Sequence, residues 1–525
     1  MAKKSRAKRK AAKMSAESSI YAENHNAGGF SIDGISSWIP QLTSPDNEMD
    51  GERETMVARQ QDLERNDSIV SGLIQTNVDN ILTSSFTLSS RIDYRALGYD
   101  KEWADKKGKE IEALWRPYAD SVEMDAARIH NFHGLTDQFL RSGLTYGEGA
   151  ALPHYMRGRK FRTTIQMIDP MRITTPIAMS NDVMVQDGVR INTYGEETMV
   201  YVQKAHPADM YAINEWESIP MRNRFGRAKF IRAVDRKRVG QRRGKPLATA
   251  IMSLLKMRNK AYNIELESVV ANSIVSAVAQ TSMSAEDLAS AFGNSADKFI
   301  DARKQWEPSI SGGGKIIQLP PGEELKPFAP SRPNTAFPYF MEQLAKQLST
   351  GVNIPYELLM KDFSNVNYSS ARAALLEAWR FFMSKRRWLS DYWATPVFSL
   401  WLEEVVERGL IDLPGFRDNK TSYCRARWIG AGRGWVDPVK EVKAAQMRIE
   451  MGVSTYEDEC AEQGKDWEEV FEQRSRENIY ADTLGLKLQS GVLESVTPES
   501  QMEDEEEENV PSTDKTDGRN VGNTT

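Results

Sequence analysis

Cysteine is almost absent from this chain of 525 residues; only Cys424 and Cys460 are present. Two thiols build neither a disulfide framework nor a cysteine zinc site, so synthesis in a reducing compartment fits. Long apolar runs are also missing. No stretch approaches the ~18 uninterrupted apolar residues that a membrane span needs, so no membrane partner is expected. The basic start is followed by SAESSIYAENHNAGG instead of an apolar segment, which does not read as a secretory signal. A surplus of positive charge is lacking too. The net charge is −6, so any role with nucleic acid needs local patches.

Catalytic signatures are equally scarce. The histidines are His25, His130, His133, His154 and His206. His130 and His133 could share a helix face, but no nearby cysteine or carboxylate completes a zinc set. Gly312-Gly313-Gly314-Lys315 invites a phosphate-loop reading. It fails because Ile316 stands where a magnesium-binding Ser or Thr belongs, and the strand follows the glycines. Gly430, Gly432 and Gly434 invite a dinucleotide fingerprint, but Trp435 occupies the next glycine position and no βαβ unit surrounds it. No catalytic residue, metal or cofactor is expected.

What is present centres on Thr335 to Gly409. The segment ARAALLEAWRFFMSKRRWLSDYWATPVFSLWLEEVVERG is the longest helical pattern in the chain. Leu375, Trp379, Phe382, Arg386, Leu389, Trp393, Val397 and Leu400 step by three or four, so one face is continuously apolar apart from Arg386. Ser369 and Ser370 are the expected N-caps and Gly409 the left-handed C-cap. The run would measure about 58 Å at ~1.5 Å per residue. Pro396 inside it predicts a kink.

Before this centre, Glu52 to Leu82 reads as two helices broken near Asn66–Asp67. FTLSSRI reads as a strand, and Lys101–Tyr118 and Phe132–Tyr146 as amphipathic helices. From Gly149 the period becomes two, and Asp187-Gly188 is a hairpin turn signal. Residues 52 to 215 therefore read as helices followed by an antiparallel sheet. Arg222 to Lys245 holds eleven basic residues against one acid, Asp235. It is either a solvated loop or one whose charges pair with acids from another subunit, or a patch facing DNA or a partner, in which Arg236, Lys237, Arg238, Arg242, Arg243 and Lys245 are the leading residues. A second long helix is expected from Pro246 to Gln280, then a compact α/β insertion over 281–333. Asp437-Pro438, Ser454 or Thr455, and Asp466 with Glu469 start helices between 436 and 490. The first thirteen residues carry seven cations and no acid, and the end carries an acidic run from Glu503 to Glu508. Both ends read as solvated tails, the first also as an arm that could touch an acidic partner or DNA.

PYELLMKDFSNVNYSSARAALLEAWRFF, then RRWL and WLEEVVERGLIDLP, closely resemble the lambda-like portal proteins of tailed bacteriophages. DLERNDSIVSGLIQTNVDNIL, RVGQRRGKPLATAI and GWVDPVKEVKAAQMRIEMGVSTYEDECAEQGKDWEEVFEQ extend the likeness over about residues 50 to 480, in the family's order. The resemblance implies an α+β, mainly helical portal fold. Residues 1–51 become an extended or disordered arm and 52–245 the wing. Stem helix 1 is 246–280, the α/β clip 281–333, and stem helix 2 with its following turn 334–360. The tunnel loop is 361–370, the long kinked helix and wing return 371–435, the helical crown 436–490, and the acidic tail 491–525. It further implies a ring of twelve copies around double-stranded DNA at one capsid vertex of the virion, assembled in the host cytoplasm. Terminase large subunit, head-completion or adaptor protein, and major capsid and scaffolding proteins are the implied partners. Lys361, Asp362, Phe363, Ser364, Asn365, Val366, Asn367 and Tyr368 become the channel loop. Another virion connector or scaffold, and a packaging enzyme, remain as alternatives.

Overall fold

The computed structural model describes residues 40, 42–82, 86–209, 214–274, 277–281, 290, 323–327, 336–364, 366–430, 432 and 438–486. The chain divides into two units between Gly464 and Lys465.

In the first unit, Ser44 caps a short helix α1 (Pro45–Met49) by accepting from the Asn47 N–H. Helices α2 (Arg53–Asn66) and α3 (Ser68–Ile81) follow. The break between them is Asp67, an extended residue whose carboxylate accepts from the amides of Ile69 and Val70. Helices α4 (Lys101–Ala119) and α5 (Phe132–Tyr146) are capped by Asp100 and Asn131. All four longer helices lie where their apolar spacing places them, because each face has a core to cover.

The region after Gly147 forms two antiparallel sheets instead of one. Strands β2 (Glu148–Tyr155), β3 (Thr163–Met167) and β8 (Ile231–Val234) form one, in the order β3-β2-β8. The other runs in sequence order through β4 (Val185–Gln186), β5 (Val189–Ile191), β6 (Glu197–Gln203) and β7 (Trp216–Pro220). The β4–β5 turn is Asp187-Gly188, both at positive φ, as a tight hairpin requires. Strand β1 (Thr87–Ser90) pairs across the chain with β11 (Ala426–Ile429). The four-stranded sheet covers its own small core of Ile173, Val189, Val200, Val202 and Phe230.

The expected helix from Pro246 to Gln280 is shorter. Turns occupy 247–251, α6 spans Met252–Ile274, and Ala277–Thr281 is a strand, β9, antiparallel to β10 (Glu323–Pro327). The run of β-branched and small residues at its end suits a strand better than a helix. The Gly312–Gly314 turn, KIIQLP and the Asp437 cap lie outside the described residues. Helix α7 (Phe337–Val352) replaces the expected Thr335–Ser349, and α8 (Tyr356–Met360) follows.

The long central segment is not one α-helix. Helix α9 (Tyr368–Leu389) passes through a π-turn at Ser390–Ala394 into α10 (Thr395–Glu407). The Thr395 N–H reaches back five residues to the Ser390 carbonyl. Pro396 has no N–H to return to Tyr392, so the irregularity falls just before the proline. The N-cap is Asn367, not Ser369 or Ser370, which sit inside the first turn. Gly409 has φ 68°, as a left-handed cap should. Phe382, Arg386, Leu389, Trp393, Val397 and Leu400 are buried in one stripe that continues across the bulge.

The main core gathers around Trp115. Its ring lies edge-on to Trp401 (5.1 Å), Phe132 (5.2 Å), Phe398 (5.6 Å) and Trp428 (5.9 Å). Trp393 stacks on Phe139 at 4.5 Å and donates its indole N–H to Thr136 Oγ1. Helices α11 (Pro438–Glu450) and α12 (Tyr456–Glu462, capped by Thr455) complete this unit. The second unit holds α13 (Trp467–Thr483), capped by Asp466.

Candidate DNA-channel loop and basic segment

The loop joins α8 to α9. Lys361 ends α8 in the left-handed region, φ 55°, and its side chain is exposed. Asp362 engages its carboxylate within the loop and with Tyr356. Its Oδ1 accepts from the Ser364 N–H (3.1 Å) and hydroxyl (2.5 Å), and the Tyr356 hydroxyl donates to Oδ2 (3.4 Å). The Ser364 hydroxyl holds the Asp362 carboxyl below its usual range. Phe363 and Ser364 are exposed and Val366 is half-buried. Asn367 Oδ1 accepts from the Ser370 amide at 2.9 Å, which starts α9. Tyr368 is already helical, so the free loop is shorter than the expected 361–370. Asn365 lies outside the described residues. The loop is thus a string of local side-chain-to-backbone turns around one cation and one internally used anion.

The other proposed patch looks different. Among the described residues, every cation of Arg222–Lys245 except Arg222, Arg224 and Lys229 forms an ion pair within the chain. Arg236 pairs with Glu197, and Lys237 with Asp235. Arg238 and Lys245 share Glu48, and Arg242 pairs with Asp46 at 2.9 Å. Asp46 and Glu48 come from α1, which lies across the basic segment.

Beneath it sits Glu148, fully buried at the start of β2. Its carboxylate accepts from Arg53 (2.8 Å), Arg232 (2.5 Å) and Arg243 (2.7 Å). Arg243 also donates to the carbonyls of Pro170, Ile173 and Asp187. Burial alone would raise the Glu148 carboxyl, but Arg243, Arg232 and Arg53 overcome it and hold it at about 2. Burial lowers Arg53 to about 10, Arg243 adding to that shift and Glu148 opposing it. This cluster welds α2, β2, β8 and the segment entering α6. At its edge, Gly147 has φ 76°, and a Cβ there would overlap the Lys245 backbone.

Two further contacts fix the helix that carries the loop. Lys385 reaches Asp235 at 2.6 Å. Arg386, the polar member of the buried stripe, donates to the Asn80 and Ile81 carbonyls at the end of α3. A cation there complements the negative end of the helix dipole. Burial lowers the Arg386 guanidinium to about 10, which leaves it charged at neutral pH.

The sequence reading missed Glu148, Asp46 and Glu48, since a lone acid at a strand start or in a short helix carries no periodic signal. It also missed RGRKFR at 157–162, where charge density alone would have flagged the β2–β3 hairpin.

The sequence matches the phage portal protein, lambda family, over residues 33–386. The chain belongs to that family. Portal protein B of Escherichia phage lambda is 30% identical over 488 residues, 89% of this chain and 91% of the relative. The portal protein of Escherichia phage N15 is 30% identical over 486 residues, covering 89% and 92%. A chain from the virion of a native gene transfer agent particle is similar in structure at TM-score 0.43 and 10% identity, covering 79% of this chain and 93% of that one. The matched span includes the channel-loop candidate, the Glu148 cluster and the basic segment. Among the described residues, no helix is long and apolar enough to cross a membrane, and no group of three or more His, Cys, Asp or Glu could hold a metal ion.

Proposed function

We infer that this protein is a portal subunit, the building block of the capsid connector through which a phage genome is packaged and ejected. The observation that carries this is the family match over residues 33–386, with 30% identity to a named portal protein along 89% of the chain. In this reading several copies form a ring around double-stranded DNA in the virion, twelve being the family's usual number. The protein's role is architectural and not enzymatic.

The fold supplies a physical reason for a ring. Helix α6 exposes Met257, Tyr262, Ile264, Leu266, Val269 and Val270, and α7 exposes Tyr339 and Phe340. Two neighbouring helices with this much uncovered apolar surface gain from packing against copies of themselves. They are the two stem helices of the proposal, with β9 and β10 in the clip between them, the Glu148-centred region as wing, and 436–490 as crown. The clip is the surface proposed for terminase large subunit and then for a head-completion or adaptor protein. Capsid and scaffolding proteins would meet the wing, with assembly in the host cytoplasm.

Lys361 to Tyr368 lines the narrowest part of the channel in this reading. Its one carboxylate is satisfied locally, which leaves small polar groups and Lys361 for a moving phosphate backbone. Weak contact suits translocation, because each neutralised phosphate steepens binding. Deleting Asp362–Asn367 should impair DNA packaging or retention and leave rings intact in negative-stain images; unchanged packaging refutes the loop assignment. A persistent monomer under every assembly condition, or nucleotide hydrolysis by the purified protein, refutes the function itself.

A further inference from the structure

The hairpin joining β2 and β3 carries Arg157, Arg159, Lys160 and Arg162 within six residues. Arg157, Lys160 and Arg162 are exposed, and among the described residues none of these three forms an ion pair. Aromatic rings hold two of them instead. The Arg162 guanidinium lies 5.6 Å from the Tyr155 ring centre and donates to the Tyr155 hydroxyl at 3.2 Å. Lys160 Nζ lies 5.7 Å from the Phe161 ring, with Arg408 at 6.0 Å from the same ring. Arg159 is the strut. It donates to the carbonyls of Glu123, Asp125 and Ala126, and so fixes the hairpin to the 122–129 turn. That turn exposes Val122 and Ile129, and Tyr155 is half-exposed beside the cations.

The neighbouring carboxylates are already engaged. Glu123 pairs with Arg128 and Arg159. Glu404 is buried, accepts from the amides of Arg162 and Thr163, and pairs with Arg408. Arg157, Lys160 and Arg162 are therefore exposed cations with no partner acid among the described residues, and Val122, Ile129 and Tyr155 are exposed on the same hairpin and turn. The cations of 236–245, by contrast, meet acids of their own chain.

We propose that the β2–β3 hairpin, with the 122–129 turn, is a docking surface for an acidic, amphipathic segment of a partner protein. Guanidinium groups match carboxylates in a planar, two-point geometry. Val122, Ile129 and the Tyr155 ring match apolar side chains interspersed among those carboxylates. A nucleic-acid duplex would use the charges and leave the apolar border uncovered. The surface does not depend on the channel loop, and its failure would leave the portal reading untouched.

The test uses the full-length protein and three fluorescein-labelled probes: a peptide alternating glutamate and leucine, polyglutamate of equal length, and a short duplex DNA. Replacing Arg157, Lys160 and Arg162 together by glutamine should weaken the glutamate–leucine peptide by roughly tenfold or more, since several charge-assisted contacts are lost. Val122→Ser with Ile129→Ser should weaken that peptide and leave polyglutamate unchanged. Unchanged binding of the glutamate–leucine peptide to either variant overturns the proposal, as does a loss confined to the duplex. Should the triple variant unfold, Arg157→Gln and Lys160→Gln singly make the same comparison, because neither side chain forms a hydrogen bond among the described residues.

Discussion

Replacing Glu148 by glutamine removes one negative charge from a site where three guanidiniums converge. The carboxylate is fully buried and meets Arg53, Arg232 and Arg243 within 2.8 Å. Glutamine keeps the volume and one acceptor, but its amide points donors at groups that can only donate. Breaking a buried ion pair from one side costs about 3–5 kcal/mol, because the remaining charge has no counterpart. The carboxyl's own titration gives a second route to the magnitude. It is held at about 2, against an ordinary 4.5. At ~1.4 kcal/mol per pKa unit this is on the order of 3 kcal/mol, in agreement with the first route. The sign follows from proton binding. Between the two values the unfolded chain holds a proton that the folded chain does not, so the contribution is complete above about 4.5 and is lost as pH falls toward about 2. Urea unfolding of wild type and Glu148→Gln, followed by tryptophan fluorescence at several pH values, reads this directly. The variant should be less stable by about 3–5 kcal/mol at neutral pH, and the gap should close in acid. A gap under about 1 kcal/mol at neutral pH, or one that does not narrow below pH ~4, refutes the account of the cluster.

Three other substitutions probe separate elements. Gly147→Ala should be strongly destabilising, since φ 76° strains an L-residue and the new Cβ meets the Lys245 backbone; a melting temperature within experimental error of wild type would contradict this. Trp393→Ala should cost about 3–5 kcal/mol through the cavity and the lost bond to Thr136, measured by denaturant unfolding. Asn367→Ala should cost about 1 kcal/mol and act locally, so hydrogen exchange should quicken at Tyr368–Ala371 while exchange in α10 stays the same.

Much of the helical architecture was legible because its signals are local. The break near Asn66–Asp67 announces a helix start, and the Phe382–Leu400 stripe announces a buried face before any partner is known. Gly409 and Asp187-Gly188 fit single turn conformations. The misread features depend on distant residues. The end of α6 became a strand because β10, more than forty positions later, offers it a partner. The sheet divided in two because β8 returns to β2 while β7 stays with β6. The N-cap moved to Asn367, where an amide oxygen competed better than either serine for the free N–H groups. At the site, the loop's polar character could be read directly. The ion pairing of 236–245 could not, since Glu48, Asp46 and Glu148 are far away in sequence.

That pairing changes what the basic stretch does. Read alone, Arg222–Lys245 looks like a grip for phosphate. In the fold, Arg232 and Arg243 direct their donors to Glu148, Glu197 and four backbone carbonyls. Arg238, Arg242 and Lys245 pair with the acids of α1. The segment leads straight into α6, so its charges anchor the base of that helix to α2, β2 and β8. Lys385 and Arg386 do the same for α9, tying it to Asp235 and to the end of α3. The helix leading out of this body and the helix carrying the loop are therefore both pinned by buried cations to one rigid core. In the proposed reading, where the loop lines the channel, it needs such a mount more than it needs charge. Every kcal/mol of attraction at the contact would slow the polymer, whereas rigidity at the base leaves the contact weak and its position fixed.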